Sequence, residues 1–439
     1  YMSVVFSLVI AGVMVTIYDQ IIGLPGEEST PAEPLVQQPH EPQPPPIVKN
    51  SLAVLPFVNV DGSQETQVFA NGLVDDVINQ LSRVPGLRVA SRGDSHVLAP
   101  NTASQTVRER LRVEQYIEGS IEMNAEEIRV MVQLIDSDDG FHALSRRFDR
   151  PLGSFFELRD EITNLVVANV RVALPPELRA SRSAPLEKPS FNAYVLYRHG
   201  IEELRKPTTI DTVASAIGWF DAALSHDPDY AAAHAGKCAV YVEGYDEVDD
   251  PSYIEHARSS CAPALALNPL LDVVHTSLGN LYMETGQYAD AEAAFNKALE
   301  DDPADEEALR GLSMAYKRLD RRDDAEAVLR RAIDVHPGSP ALYNSLGVML
   351  FERGQYDEAQ RQYEYAAALK PEEMKYWTNL GSALMLQGEF ALATDYFQRA
   401  INIKPTKIAY SNLGLVHFYT GNFEVAVEHQ RAAVELQPN

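Results

Sequence analysis

The sequence predicts an α+β domain followed by an all-α solenoid of paired helices, with a single N-terminal transmembrane helix ahead of both. Three observations carry this: prolines at a nearly constant interval in the second half, alternating strand and helix patterns from Ser51 to Leu174, and an uncharged apolar start. At 439 residues the chain exceeds what one hydrophobic core holds. Its 45% apolar content excludes wholesale disorder. With a formal charge of −26 the folded part offers no basic face to a phosphate backbone, so no nucleic-acid binding by it is expected.

Tyr1 to Tyr18 is uncharged and apolar, and the apolar character resumes at Ile21–Leu24 after Asp19 and Gln20. About 18 helical residues is the lower limit for crossing a bilayer core. A secretory signal peptide is the rival reading, but neither a basic n-region nor a small-residue cleavage site is visible. A buried core helix fits poorly with the prolines that follow. No Lys or Arg occurs from Tyr1 to Val48, whereas Asp19, Glu27 and Glu28 follow closely, so the positive-inside rule puts this flank outside the cytoplasm. Residues 1–24 are therefore read as a membrane anchor in a bacterial inner membrane, with the soluble part in the periplasm. Residues 25–49 are a linker, and the eight prolines within 25–46 make it an extended spacer.

Residues 50–176 read as the α+β domain. Ser51–Val60 is a buried strand, and Gln67–Val84 has the apolar spacing of an amphipathic helix at Val68, Leu73, Val77, Ile78 and Leu81. Leu87–Ala90 is a short strand and Thr106–Leu111 a short helix. Tyr116–Met123, Ile128–Asp136 and His142–Phe148 are three strands joined by tight turns, and Phe155–Leu174 is a closing helix. The pieces AVLPFVN, FANGLVDDVINQLSRVPGLRVASR, YIEGSIE and VQLIDSDDG, then RRFDR and FFELRDEIT, resemble the TolB amino-terminal domain and the related FlgO-type domain. That resemblance implies a domain lying between an effector and a helical repeat array. The effector is a winged-helix DNA-binding domain in CadC-type transmembrane regulators, or a nucleotide cyclase in others. Here it would lie before Tyr1.

Pro175–Pro189 is a polar linker, and residues 190–439 are repetitive. Prolines at 228, 269, 303, 337, 371, 405 and 438 stand 41, 34, 34, 34, 34 and 33 residues apart. A 34-residue period closed by proline is the tetratricopeptide pattern. The interior agrees: Trp377, Leu380, Gly381, Gly388, Phe390, Ala393, Phe397 and Ala400 precede Pro405, and Tyr343, Leu346, Gly347, Gly354, Tyr356, Ala359, Tyr363 and Ala366 precede Pro371. About seven units follow, the first two degenerate. The unit over Glu306–Ser339 departs at Asp320 and Arg322, where Gly and Tyr usually stand.

First helices of such an array line a concave groove. Projection puts Asn280, Met283, Met314, Lys317, Asn344, Phe351, Asn379, Met385, Asn412 and Phe418 on it. Methionines and aromatics suit an adaptable apolar contact, and asparagines pair with the backbone of an extended peptide. A protein or peptide partner is expected there. Cys238 and Cys261 project onto facing positions of one hairpin, either as free core thiols or as a disulfide. The last repeat has no polar capping helix after it, so Val427, Val434 and Leu436 cover a continuation, a partner or a second copy.

No phosphate loop, Gly-x-Ser-x-Gly elbow or His-Glu-x-x-His occurs, so no catalytic, cofactor or metal site is expected. Asp75-Asp76 is expected on the solvent face of its helix, Asp136–Asp139 in a turn, and His275 in a repeat core. Two functions remain. One is the periplasmic sensing and partner-binding part of a transmembrane signalling or transcriptional regulator. The other is a scaffold or accessory subunit that organises an envelope complex.

Overall fold

The computed structural model describes residues 42–84, 86–124, 126–170, 187–248 and 250–436, all within one compact unit. The predicted anchor at 1–24, most of the linker behind it and the stretch 171–186 lie outside the described residues. Among the described residues no helix is long and apolar enough to cross a membrane.

The apolar run Ser51–Val60 forms two strands rather than the single one expected: β1 (Ser51–Val54) and β2 (Val58–Asn59). Pro56, between them, has no N–H to give a ladder. Ser63 caps α1 (Gln64–Ser82), its hydroxyl accepting from the Thr66 N–H at 3.1 Å, so the helix starts earlier than the apolar pattern suggested. There follow β3 (Arg88–Val89), α2 (Arg92–Ser95), α3 (Ser104–Leu111), β4 (Gln115–Met123), β5 (Glu127–Asp136), β6 (His142–Pro151) and α4 (Phe155–Asn169). The sheet order is β3-β1-β4-β5-β6, with β2 also parallel to β4, and β6 is an edge. One face packs Ile117, Val130, Val132 and Phe148 against Phe69, Leu73 and Val77 of α1 and Phe155 and Ile162 of α4. Leu55, Tyr116 and Ile135 meet Val107 and Leu111 of α3 on the other. Asp136–Asp139 forms the expected turn, with the Asp136 carboxylate accepting from the Asp138 N–H at 2.9 Å.

Among the described residues seven helical hairpins follow: α5 (Phe191–Leu204) with α6 (Ile210–His226), α7 (Ala231–Val248) with α8 (Ser252–Leu267), α9 (Asp272–Glu284) with α10 (Tyr288–Asp301), and α11 (Glu306–Arg318) with α12 (Arg322–Val335). The last three are α13 (Pro340–Glu352) with α14 (Tyr356–Leu369), α15 (Met374–Gln387) with α16 (Phe390–Ile403), and α17 (Lys407–Tyr419) with α18 (Phe423–Leu436). Two devices recur. An aromatic of the second helix sits on a glycine of the first: a β-carbon on Gly347 would lie 2.6 Å from Tyr363, and one on Gly381 2.8 Å from Phe397. In the divergent unit Ser313 and Leu329 take those places, and the Ser313 hydroxyl donates to the Ala325 carbonyl at 3.2 Å. The second device is a hydrogen bond from a ring near the start of the first helix to the carbonyl of the proline six residues earlier. Tyr343 makes it to Pro337 at 3.2 Å and Trp377 to Pro371 at 2.8 Å. The His275 ring meets the Pro269 carbonyl at 2.8 Å in the same way, which makes it a core residue, as expected.

The turn inside each of the last five hairpins holds a left-handed residue. Gly286, Gly354, Gly388 and Gly421 supply it with φ of 73°, 76°, 85° and 79°, while Asp320 holds φ 59° in the divergent unit. A β-carbon there costs roughly 1 kcal/mol. The Cys238 and Cys261 sulfurs, on α7 and α8, lie 2.11 Å apart with their Cα atoms 5.2 Å apart.

Asp320→Gly is expected to raise stability by about 1 kcal/mol, because the exposed Asp320–Arg322 pair it removes is worth little; the midpoint of urea unfolding checks this. Mass spectrometry of non-reduced protein is expected to find Cys238 and Cys261 joined. Their reduction should then lower stability by roughly 3 kcal/mol in the chain-entropy picture, and free thiols at both positions would end this expectation.

Candidate functional site

Asp75 and Asp76 do not face solvent as their position off the apolar stripe of α1 suggested. The repeat array covers that side of the helix. Arg198 of α5 and Arg92 of α2 pair with the Asp75 carboxylate, and Arg205 reaches it at 2.6 Å. Asp76 accepts from the Tyr194 hydroxyl at 3.1 Å and from Arg159 of α4 at 3.4 Å. The side chains of Asp75, Arg198 and Arg159 are only 7%, 6% and 3% exposed. Burial raises Asp76 against the pull of Arg159 and Tyr194, and burial beside Arg205 lowers Arg198. Gly72 makes the approach possible, since a β-carbon there would lie 2.7 Å from the Tyr194 hydroxyl oxygen and 2.8 Å from Arg198 Nε. Phe191, Tyr194 and Val195 of α5 complete the apolar core of the α+β domain itself. The first repeat helix thus belongs to both domains.

From there the α+β domain meets four successive proline turns of the array. Arg83 pairs with Asp272 at 3.0 Å, beyond Pro269, and the Ser82 hydroxyl donates to Asp302 at 3.0 Å, beside Pro303. At the Pro337 turn the His336 ring meets the Val89 carbonyl at 3.1 Å, and Gly338 packs so closely on Leu111 that a β-carbon would lie 2.8 Å from its carbonyl oxygen. At the Pro371 turn Arg110 donates to the Leu369 carbonyl at 2.9 Å and pairs with Glu372 at 3.3 Å.

The first helices carry the projected groove residues, and the structure ties several of them across repeats. Asn379 donates to the Asn344 amide oxygen at 2.8 Å, Asn412 to the Ser382 hydroxyl at 3.2 Å, and Asn280 to Glu307 at 2.7 Å. Each of these donations uses the amide nitrogen, and the amide oxygen of the same side chain is an acceptor. Met283, Phe351 and Met385 are half-buried against the core, whereas Met314 is 54% exposed. Lys317 is neutralised by Glu352 at 2.8 Å. Phe418 stands apart, 52% exposed beside Tyr419 and Phe423 on the last hairpin, where Val427, Val434 and Leu436 are also exposed. Sequence projection missed Glu243 of α7. Crowding by its surroundings, reinforced by Glu307, pushes it up to about 7 although its surface stays open to water. Its repeat is too degenerate for the projection to have reached it. Among the described residues no three His, Cys, Asp or Glu are placed to hold a metal ion.

Models of tetratricopeptide repeats match residues 282–347, 350–408 and 408–439. A model described as the second domain of HilA/YgeH-like transcriptional regulators matches residues 48–165. The chain is 34% identical over 198 residues to a putative adenylate cyclase 3 of Rhizobium meliloti strain 1021, a match taking 44% of this chain and 33% of the relative. The chain therefore spans about a third of that relative's length. Similar solved structures include a tetratricopeptide repeat protein of Parabacteroides merdae (19% identity, 56% of this chain and 93% of that one, TM-score 0.39). They also include MamA of Desulfovibrio magneticus (18%, 38% and 95%, 0.36) and YrrB, described as having an unusual peptide-binding site (23%, 41% and 93%, 0.35). The helical part is an array of tetratricopeptide repeats, a protein-interaction module.

At the interface Asp94 of α2 is pushed up to about 8 by burial and by Glu306 of α11, with Ser91 and Lys370 pulling back. Asp305 is also pushed up to about 8, by burial and then Glu307, Asp272 and Asp302. Both values lie above the ordinary 3.8, so the folded chain binds more protons than the unfolded one between about pH 4 and 8. Stability is therefore expected to fall as pH rises through that window and to level off above it. Asp94→Asn should flatten part of the slope, checked by urea midpoints from pH 5 to 8.5.

Proposed function

We propose that this chain is the partner-sensing part of a signalling protein anchored in a bacterial inner membrane, with its folded domains on the periplasmic side. An extended protein segment lies along the repeat groove, and the docked α+β domain carries its arrival to an effector. The observation that carries this reading is the seating of one α+β domain on four successive proline turns. A segment that changes the groove's curvature must shift those turns against the domain that spans them. The similarity to a second domain of transcriptional regulators and to a putative adenylate cyclase supports a module used beside different effectors. The apolar run from Tyr1 and the absence of Lys and Arg before Lys49 support the anchor and its orientation. The TolB-like and CadC-type resemblance of residues 50–176 fits the same organisation.

A scaffold would hold its partner without moving the interface, which separates the two readings. Truncation at Ser190 is a poor test because it strips Phe191, Tyr194 and Val195 from the α+β core. Point variants are cleaner. Protein captured from detergent-solubilised membranes by the full chain is expected to fall about tenfold with Met314→Glu combined with Asn379→Ala. Amide exchange around Asp75 and Arg198 is expected to change when that protein binds. Capture indifferent to the groove variant would refute partner binding there, and unchanged exchange on binding would favour the scaffold.

A further inference from the structure

We propose that β6 is an interface for a second copy of this chain, the two strands pairing antiparallel about a two-fold axis at Phe148. β6 is ten residues long and ends the sheet, pairing among the described residues with β5 alone. Edge strands are ordinarily guarded by charge. Here the charges alternate in register. Glu122 of β4 stands opposite Arg129 of β5, and Arg129 opposite Asp149 of β6. Both ion pairs measure 2.7 Å. The row thus runs negative, positive, negative and stops on a carboxylate at an open edge. The neighbouring row crosses Ser120, Met131 and Arg147, ending on a cation, and Arg147 already pairs with Asp149 at 2.9 Å.

Pairing about Phe148 places each copy's Arg147 opposite the other's Asp149. Four charges then close a square of alternating sign, and each row continues across the junction. An isologous contact requires this kind of self-complementarity, in which one residue meets a second and the second meets the first. Phe148 is buried beneath the sheet, so the strand presents its backbone and this charge row rather than an apolar face. On the opposite face Arg146 would meet the second copy's Arg150, a like pair, but Glu161 already holds Arg150 at 2.7 Å and compensates that rung. A partner strand of another protein would need only the edge; the two-fold charge pattern favours a second copy.

The test is co-purification of two differently tagged full-length copies from detergent. Wild-type copies are expected to retain one another. Arg147→Asp alone sets Asp against Asp149 twice, and Asp149→Arg alone sets Arg against Arg147 twice, so each should cut retention about tenfold. Mixing the Arg147→Asp copy with the Asp149→Arg copy restores both pairs and should restore retention. These side chains are 54% and 48% exposed, and unchanged circular dichroism confirms that the variants stay folded. Val434→Glu, on the exposed last hairpin, should have no effect. The proposal is overturned if wild-type copies do not retain one another, if either single variant still does, if the mixture fails to recover, or if Val434→Glu abolishes retention.

Discussion

The Asp75 carboxylate is the point on which the assembly of the two domains turns. Three guanidinium groups converge on it from two parts of the chain, and its neighbour Asp76 takes Arg159 and the Tyr194 hydroxyl. Removing such charges from water costs several kcal/mol per ion, and the attraction repays it only when the partners are in place. A slightly rotated α5 would leave buried charges unpaired, at roughly 3–5 kcal/mol each. The cluster therefore adds little net stability but penalises every other orientation of the array. All the cations are arginines, whose planar forks reach two carboxylates from one side chain, as Arg198 does with Asp75 and Asp76.

That orientation has a mechanical consequence. Each unit of a solenoid normally touches only its neighbours, so its curvature follows small per-repeat rotations and is soft. Here Arg83, Ser82, Val89, Leu111 and Arg110 reach turns spread over a hundred residues of array. Curvature that would be free in an isolated array is set by the α+β domain. The hydrogen bonds from Asn379 to Asn344, and from Asn412 to Ser382, pin the first helices of successive repeats in the same way. The first helices and the interface thus belong to one restrained body.

The sequence showed the repeats well because their signal is periodic and local: a proline every 34 residues, with glycine and aromatic at fixed offsets. The α+β elements were legible for the same reason, apart from the break at Pro56, the short helix α2, and the end of α4, which stops at Asn169 with Val170 extended rather than running to Leu174. Asp75 and Asp76 were misread because helical periodicity reports one buried face, the stripe of Leu73, Val77, Ile78 and Leu81. Helix α1 has a second covered face, and what covers it lies more than a hundred residues away. Nothing in the helical pattern marks a carboxylate whose partners are Arg92, Arg198 and Arg205. The places of Asn344, Asn379 and Asn412 on first helices followed from the repeat pattern, but their hydrogen bonds depend on the turn between repeats, which periodicity does not give.

The divergent unit illustrates the same point from the other side. Asp320 and Arg322, where it departs from the repeat pattern, pair with each other, while His336 and Gly338 at its end make the contacts with Val89 and Leu111. Ser339 donates to Glu306 at 2.9 Å, fixing the carboxylate that faces Asp94. The degenerate first unit behaves likewise, its helix α5 giving Tyr194 to one core and Arg198 and Arg205 to the ion cluster. A repeat that packs only on repeats can keep the consensus. One that also packs on a different fold must answer to a second set of contacts, as α5 does with Phe191, Tyr194 and Val195. In this chain the seam crosses units of both kinds: the Pro371 turn, closing a unit that keeps the full pattern, meets the α+β domain through Leu369 and Glu372.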